Sequence, residues 1–239
     1  MTHDAEKVLC TLEQSIQTEM LPNGNLLTAS YALQSVREVR SDGSELWAKG
    51  GLEAVVDCQR LPDGNTLVCR HTWHLVQELK PDGEQAWSTK TKGPLLDVDR
   101  LPNGNTLATQ FGTGGVIEID RDGKTVWSFD GSELTSAARQ LDGTTLITNT
   151  KSGHVLQVEP GGEVLRTWKC RDPWHAELLP SGHMVVNERQ AVRILDANGK
   201  TVWSLERSNI LGMQVLGAGP HRANATPPNV APATPPQPK

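Results

Sequence analysis

The chain has 239 residues, 36% of them hydrophobic, and a net charge of −5. An apolar share of that size is ordinary for a globular protein and excludes disorder of the whole chain. No apolar run reaches the roughly 20 residues that span a bilayer, no signal-peptide core follows Met1, and no Lys/Arg run offers a footprint to a phosphate backbone, so neither a membrane nor a nucleic acid is an expected partner.

In chain order, the first predicted element is a lone outer strand over residues 7–12. Aligning VLCTLEQSIQTEML with RTWKCRDPWHAELL puts Cys10 where Trp168 stands. Five units of about 40 residues follow. LPNGNLL at Leu21 returns as LPDGNTL at Leu61 and LPNGNTL at Leu101, then decays to LDGTTL at Leu141 and LPSGHMV at Leu179. The turn glycines Gly24, Gly64, Gly104, Gly143 and Gly182 are spaced by 40, 40, 39 and 39 residues. Each unit has a second turn, at Gly43, Gly83, Gly123, Gly162 and Gly199, and a closing Trp, at Trp47, Trp87, Trp127, Trp168 and Trp203.

Each unit reads as four short strands. In the third they are LLDVDRL, NTLATQ, GVIEID and KTVWSF, each rich in Val, Ile, Thr or Leu and bounded by Gly, Pro, Asn or Asp. In its first turn Pro102 sets φ, Asn103 tolerates the next position and Gly104 supplies positive φ. No segment holds a 3.6-residue period for ten residues, which excludes helical repeats. Four antiparallel strands per repeat, closed by a Trp, is the arithmetic of a β-propeller blade. After Trp203 the run GMQVL (Gly212–Leu216) aligns with LDVDR from Leu96, an innermost strand. The expected fold is therefore all-β: a β-propeller of five full four-stranded blades over residues 1–216. Two closures are open, a reduced sixth blade built by both termini or a five-bladed ring with two spare strands. Seven of the 15 prolines fall between Pro220 and Lys239, so residues 217–239 are expected to be a Pro-rich disordered tail.

EIDRDGKTVWSF (Glu118–Phe129) and RILDANGKTVWSL (Arg193–Leu205) resemble the tryptophan-docking repeat of quinoprotein-type, PQQ-binding-like β-propellers. The LPNGN hairpin resembles the repeats of arylsulfotransferase-type propellers. The likeness covers about residues 7–216 and implies that the repeated Trp side chains pack between neighbouring blades. It does not carry over an activity. The vicinal Cys pair and acidic calcium site of quinoprotein dehydrogenases have no counterpart, since Cys10, Cys58, Cys69 and Cys170 are isolated in sequence. The histidines likewise give no alignment with the channel histidines of arylsulfotransferases.

In a repeat protein the period explains the scaffold, so function is sought in departures from it. The start of each first strand and the loop joining strands two and three share one face, at the channel mouth. The innermost strands start at Gln17, Asp57, Asp97, Ala137 and His175, and two positions later come Glu19, Gln59, Asp99, Arg139 and Glu177. Asp57, Asp97 and His175 would contribute to a polar ring. That ring is open to three readings: a hydrated channel, a small ligand or cation held by carboxylates and imidazole, or an acid/base pair. In the second unit the loop CRHTWHLV brings Arg70, His71, Trp73 and His74 together. Trp73 and Trp174 are the two Trp outside the repeat position, and each precedes a His, His74 and His175. Such pairs either stack on a flat ligand and hydrogen-bond its edge or fill gaps between blades. Cys69, His71 and His74 have metal-ligand spacing but no specified fourth ligand.

These features lead to the expectation of a non-catalytic binding or scaffold protein that takes a small molecule or a protein at its channel-mouth face. The alternative is an enzyme related to arylsulfotransferase or quinoprotein propellers, with its site in the channel. No catalytic residue, metal or cofactor is assigned. A monomer is expected, with a strand-completing partner as the other arrangement. Isolated cysteines without a signal sequence suggest a cytoplasmic setting by default, or export of a processed precursor.

Overall fold

The computed structural model describes residues 12, 14–112, 114–206 and 213–214. The outer strand expected over residues 7–12 (except Leu12), the inner strand expected over Gly212–Leu216 (except Met213 and Gln214) and the 217–239 tail lie outside the described residues.

Among the described residues, twenty strands form five four-stranded blades of a β-propeller. Blade one is β1 (Gln17–Met20), β2 (Leu26–Ser30), β3 (Ser35–Val39) and β4 (Glu45–Lys49). Blade two is β5 (Val55–Arg60), β6 (Thr66–Arg70), β7 (Leu75–Leu79) and β8 (Gln85–Lys90). Blade three is β9 (Leu95–Arg100), β10 (Thr106–Gln110), β11 (Gly115–Ile119) and β12 (Thr125–Phe129). Blade four is β13 (Leu134–Arg139), β14 (Thr145–Asn149), β15 (His154–Val158) and β16 (Val164–Lys169). Blade five is β17 (Pro173–Leu178), β18 (Met184–Glu188), β19 (Ala191–Leu195) and β20 (Thr201–Glu206). Strands pair antiparallel in chain order within every blade.

The first hairpin closes as its residue types require. In blade one, the Gly24 N–H donates to the Leu21 carbonyl at 2.9 Å, the Asn25 N–H donates to the Asn23 side-chain oxygen at 3.0 Å, and Gly24 sits at φ 82°. That left-handed conformation is one glycine adopts without strain.

The hydrophobic core lies between blades, one cluster per junction. Leu27, Ala29 and Val36 meet Leu52, Val55 and Val68 with Trp47 against them; Leu67 and Val76 meet Leu95 and Val98 with Trp87. Leu107 and Val116 meet Leu134 and Ile147 with Trp127, and Leu146, Val155 and Trp168 meet Ala176, Met184 and Val186. Each closing Trp up to Trp168 thus packs against the following blade.

A polar clamp accompanies the first three junctions. Glu38, Glu78 and Glu118 bind Arg60, Arg100 and Arg139 of the next blade at 2.8, 2.8 and 2.7 Å. The same guanidinium groups stack on Trp47, Trp87 and Trp127 at 5.4, 5.0 and 4.9 Å. Each indole N–H donates to the next blade's second turn, at the carbonyls of Pro81, Arg121 and Pro160. A register shift follows each of these Glu residues, and a bulge there re-aims the side chain.

Among the described residues, no comparable packing joins blade five to blade one. On that side of blade one, the Gln214 side-chain oxygen accepts the Met20 N–H at 2.7 Å. Met20 stands where Arg60 and Arg100 stand, whose N–H groups donate to Glu19 and Gln59 of the preceding blade at 2.9 and 2.7 Å. Gln214 therefore takes the Glu19/Gln59 position, one residue on from the sequence alignment with Leu96–Arg100.

Candidate functional site

Two residues at the start of each inner strand converge on a cavity of about 300 Å³ at the channel mouth. One ring is Ile16, Val56, Leu96, Thr135 and Trp174; the other is Gln17, Asp57, Asp97, Ser136 and His175. Strand pairing fixes the second ring, because Gln17, Asp57, Asp97, Ser136 and His175 pair with Ala29, Cys69, Thr109, Thr148 and Asn187. Ser136, not Ala137, is the blade-four member, and the position two further on is Ala138, not Arg139. Arg139 instead repeats Arg60 and Arg100: all three donate to the carbonyl of their own turn glycine.

The two carboxylates turn toward neighbouring backbone. Asp57 accepts the Cys58 N–H at 2.8 Å and, across the junction, the Val98 N–H at 2.9 Å. Asp97 accepts the Ala137 N–H of blade four at 3.0 Å. Both are almost fully buried. These side chains staple one blade to the next, and the geometry leaves the apolar ring as the more open surface of the mouth. In blade four hydroxyls replace the carboxylates: Thr148 and Thr150 donate to the carbonyls of Trp174 and Pro173 at 3.2 and 2.6 Å. The His175 ring lies 3.7 Å from Glu177 on its own strand.

Cys69 lies behind this ring. Burial, with the charges of Asp57 and Asp97 beside it, pushes its thiol well above the ordinary range, so it is neither a ready nucleophile nor a thiolate ligand. Burial likewise pushes Cys170 up to about 12. Among the described residues, no three His, Cys, Asp or Glu side chains converge as a metal site.

Arg70, His71, Trp73 and His74 lie on the same face, in and beside the β6–β7 loop, but not in the cavity lining. Arg70 donates to the Glu53 carbonyl at 3.0 Å and stacks on Trp73 at 4.8 Å. His71 lies 2.6 Å from the Leu95 carbonyl oxygen and 6.1 Å, ring to ring, from Phe111. His74 holds φ 52° at the loop's close, where Gln34 and Gly153 hold the same role in blades one and four. The two Trp-His pairs are thus separated: Trp174 and His175 in blade five line the cavity, while Trp73 and His74 in blade two stand on the rim.

The rim adds Tyr31, Leu33 and Phe111, which were not among the sequence candidates, to Trp73, which was. Tyr31, Leu33, Trp73 and Phe111 are 48%, 46%, 47% and 37% exposed, all on β2–β3-type loops of blades one to three. The same loops of blades four and five carry TKSG and RQ, so the aromatic arc is one-sided.

The model of a PQQ-repeat family, described as outer membrane protein assembly factor BamB, matches residues 32–167, more than half of the chain. The chain belongs to this family. No curated protein sequence matches it. Among solved structures, a protein of unknown function from Bacteroides caccae is similar at 20% identity and TM-score 0.68, over 80% of this chain and 81% of that one. A catalytically inactive virginiamycin B lyase from Staphylococcus aureus with quinupristin is similar at 11% identity and TM-score 0.65, over 84% and 73%. Kuenenia stuttgartiensis hydrazine synthase follows at 16% identity and TM-score 0.65, over 82% and 76%. At such identities the likeness is one of fold alone. The PQQ-like propeller resemblance read from the Trp repeats agrees with the family match.

Proposed function

We propose that this PQQ-repeat propeller is a non-catalytic binding protein that receives a small apolar ligand, or an apolar side chain of a peptide, in its channel mouth. One observation carries the reading. The acidic groups of the inner ring are engaged as blade staples, while Ile16, Val56, Leu96 and Trp174 line the cavity with His175 beside them. An acid/base role for Asp57 and Asp97 would require them to release the backbone N–H groups they now accept. An apolar concavity with few polar groups is the ordinary form of a small-ligand site.

Anilinonaphthalene sulfonate is a suitable probe for such a mouth. The natural protein is expected to enhance its fluorescence, and Leu96→Arg to abolish the enhancement with the melting temperature unchanged. Equal enhancement in both proteins would remove the cavity from consideration. On the same reading, the ring is completed by a reduced sixth blade to which both ends of the chain contribute. The Gln214–Met20 bond supports that closure. Gln214→Ala is expected to destabilise the protein by about 1 kcal/mol in denaturant titration. No effect would favour a five-bladed ring with spare strands, and a dimer in light scattering would favour a partner's strand.

A further inference from the structure

We infer that the aromatic arc of Tyr31, Trp73 and Phe111 is a docking surface for the chain's own Pro-rich tail, held in polyproline II form. This goes beyond the channel-mouth reading and uses a different set of residues. Four large apolar side chains stand exposed on three successive loops of one face. Trp73 is held by the guanidinium of Arg70 at 4.8 Å, itself fixed on the Glu53 carbonyl, so its orientation is set before any partner arrives. Phe111 is braced by His71 at 6.1 Å. Pre-oriented aromatic rings are what Pro-rich segments use, because a polyproline II helix is stiff and loses little entropy on docking.

The tail supplies the matching chemistry. It carries ATPP twice, at Ala225–Pro228 and Ala233–Pro236, so a repeated Pro pair faces an arc of repeated aromatic rings. Where the tail begins also fits. Gln214 is bonded to Met20 of blade one, the blade that carries Tyr31 and Leu33. A five-residue strand is about 17 Å long. The chain from Gln214 to Pro227 can extend to about 40 Å, enough to pass from the inner strand of blade one to its rim. The second ATPP follows about 25 Å further on in polyproline II form, in the direction of the later blades.

The test uses the full chain labelled with 5-fluorotryptophan, with the Trp73 fluorine resonance assigned by Trp73→Phe. In a variant carrying Pro227→Ser, Pro228→Ser, Pro235→Ser and Pro236→Ser, the Trp73 resonance is expected to move and to gain sensitivity to exchange of H2O for D2O. A synthetic peptide of residues 217–239 added to that variant should return it. Trp127, at a blade junction, should not move in any of these samples. An unchanged Trp73 resonance in the variant would overturn the proposal. So would a resonance in the natural chain that shifts on dilution, since the occupant would then be a second copy.

Discussion

The junction between blades two and three and that between blades four and five solve one packing problem by different means. At the first, Glu78 accepts from Arg100, Arg121 and Asn65 around Trp87, whose own N–H reaches the Arg121 carbonyl. At the second, Gln157 takes the Glu position and Leu178 the Arg position. Trp168 is 3% exposed, and its indole N–H has no acceptor among the described residues. Arg166 of its own strand stacks on it at 5.3 Å, and its ring lies against Gly199. The clamp accompanies an indole that is only partly buried. The packed junction dispenses with the clamp by burying the indole outright. The register differs as well: Arg166 pairs with Gln157 where Trp47, Trp87 and Trp127 pair with Glu38, Glu78 and Glu118, so the buried Trp168 stands two residues further along its outer strand.

The comparison is broken most severely from the clamped side. Glu78→Ala leaves Arg100, 9% exposed in its side chain, with a buried charge and no carboxylate partner. Removing one member of a buried pair costs about 3–5 kcal/mol. Gln157→Ala removes one bond, to the Thr144 hydroxyl at 3.1 Å, and should cost less than about 1 kcal/mol. Denaturant unfolding of the two variants measures the contrast, and equal losses would mean that the clamp is not what holds blades two and three together.

Acid separates the junctions next. Burial opposes the Glu78 charge, but hydrogen bonds from Arg121 and Asn65 and the Arg100 and Arg121 charges outweigh it and hold its carboxyl below the ordinary value of 4.5. A lowered folded-state value means that its contribution is present above about pH 4.5 and is lost as pH falls through the folded value. Hydrogen exchange in β7 and β9 should therefore quicken with acid below that point, by more than in β15 and β17. A parallel response in both pairs would place the acid sensitivity elsewhere.

The same contrast bears on what the residues disclose unaided. Turn glycines announce five blades, because every unit needs the same positive φ; the closing Trp keeps its register in four of them, while in blade four Arg166 stands there and Trp168 lies two residues on. Ser136 was missed because Gln140, Leu141 and Asp142 replace the Leu-Pro-Asn of the turn and obscure the count back from Gly143. The engagement of Asp57 and Asp97 is invisible to strand periodicity. Their partners, Val98 and Ala137, lie 41 and 40 residues on, in another sheet. Tyr31 and Phe111 could have been found by laying YALQ, HTWH, FGTG, TKSG and RQ side by side, since exposed aromatic residues in three of five equivalent loops have no scaffold reason.

Grafting the clamp onto the fourth junction should have the smallest net effect. Gln157→Glu alone places a carboxylate beside the Thr144 hydroxyl and across from Arg166, whose guanidinium is engaged on the Trp168 ring, and Leu178→Arg alone replaces a side chain packed on the fourth core cluster with an unpaired guanidinium. Each single change should destabilise. Together they should recover most of the loss, with a coupling of about 0.5–3 kcal/mol in a double-mutant cycle. The double variant should still lie within about 1 kcal/mol of the natural protein, because a buried ion pair roughly breaks even against well-packed apolar groups. Trp168 sets the ceiling: its N–H stays buried without an acceptor unless the second turn near Gly199 shifts toward it, as the turns of the earlier junctions do toward their indoles. A double variant clearly more stable than the natural chain would mean that charge, not indole burial, limits the strength of this junction.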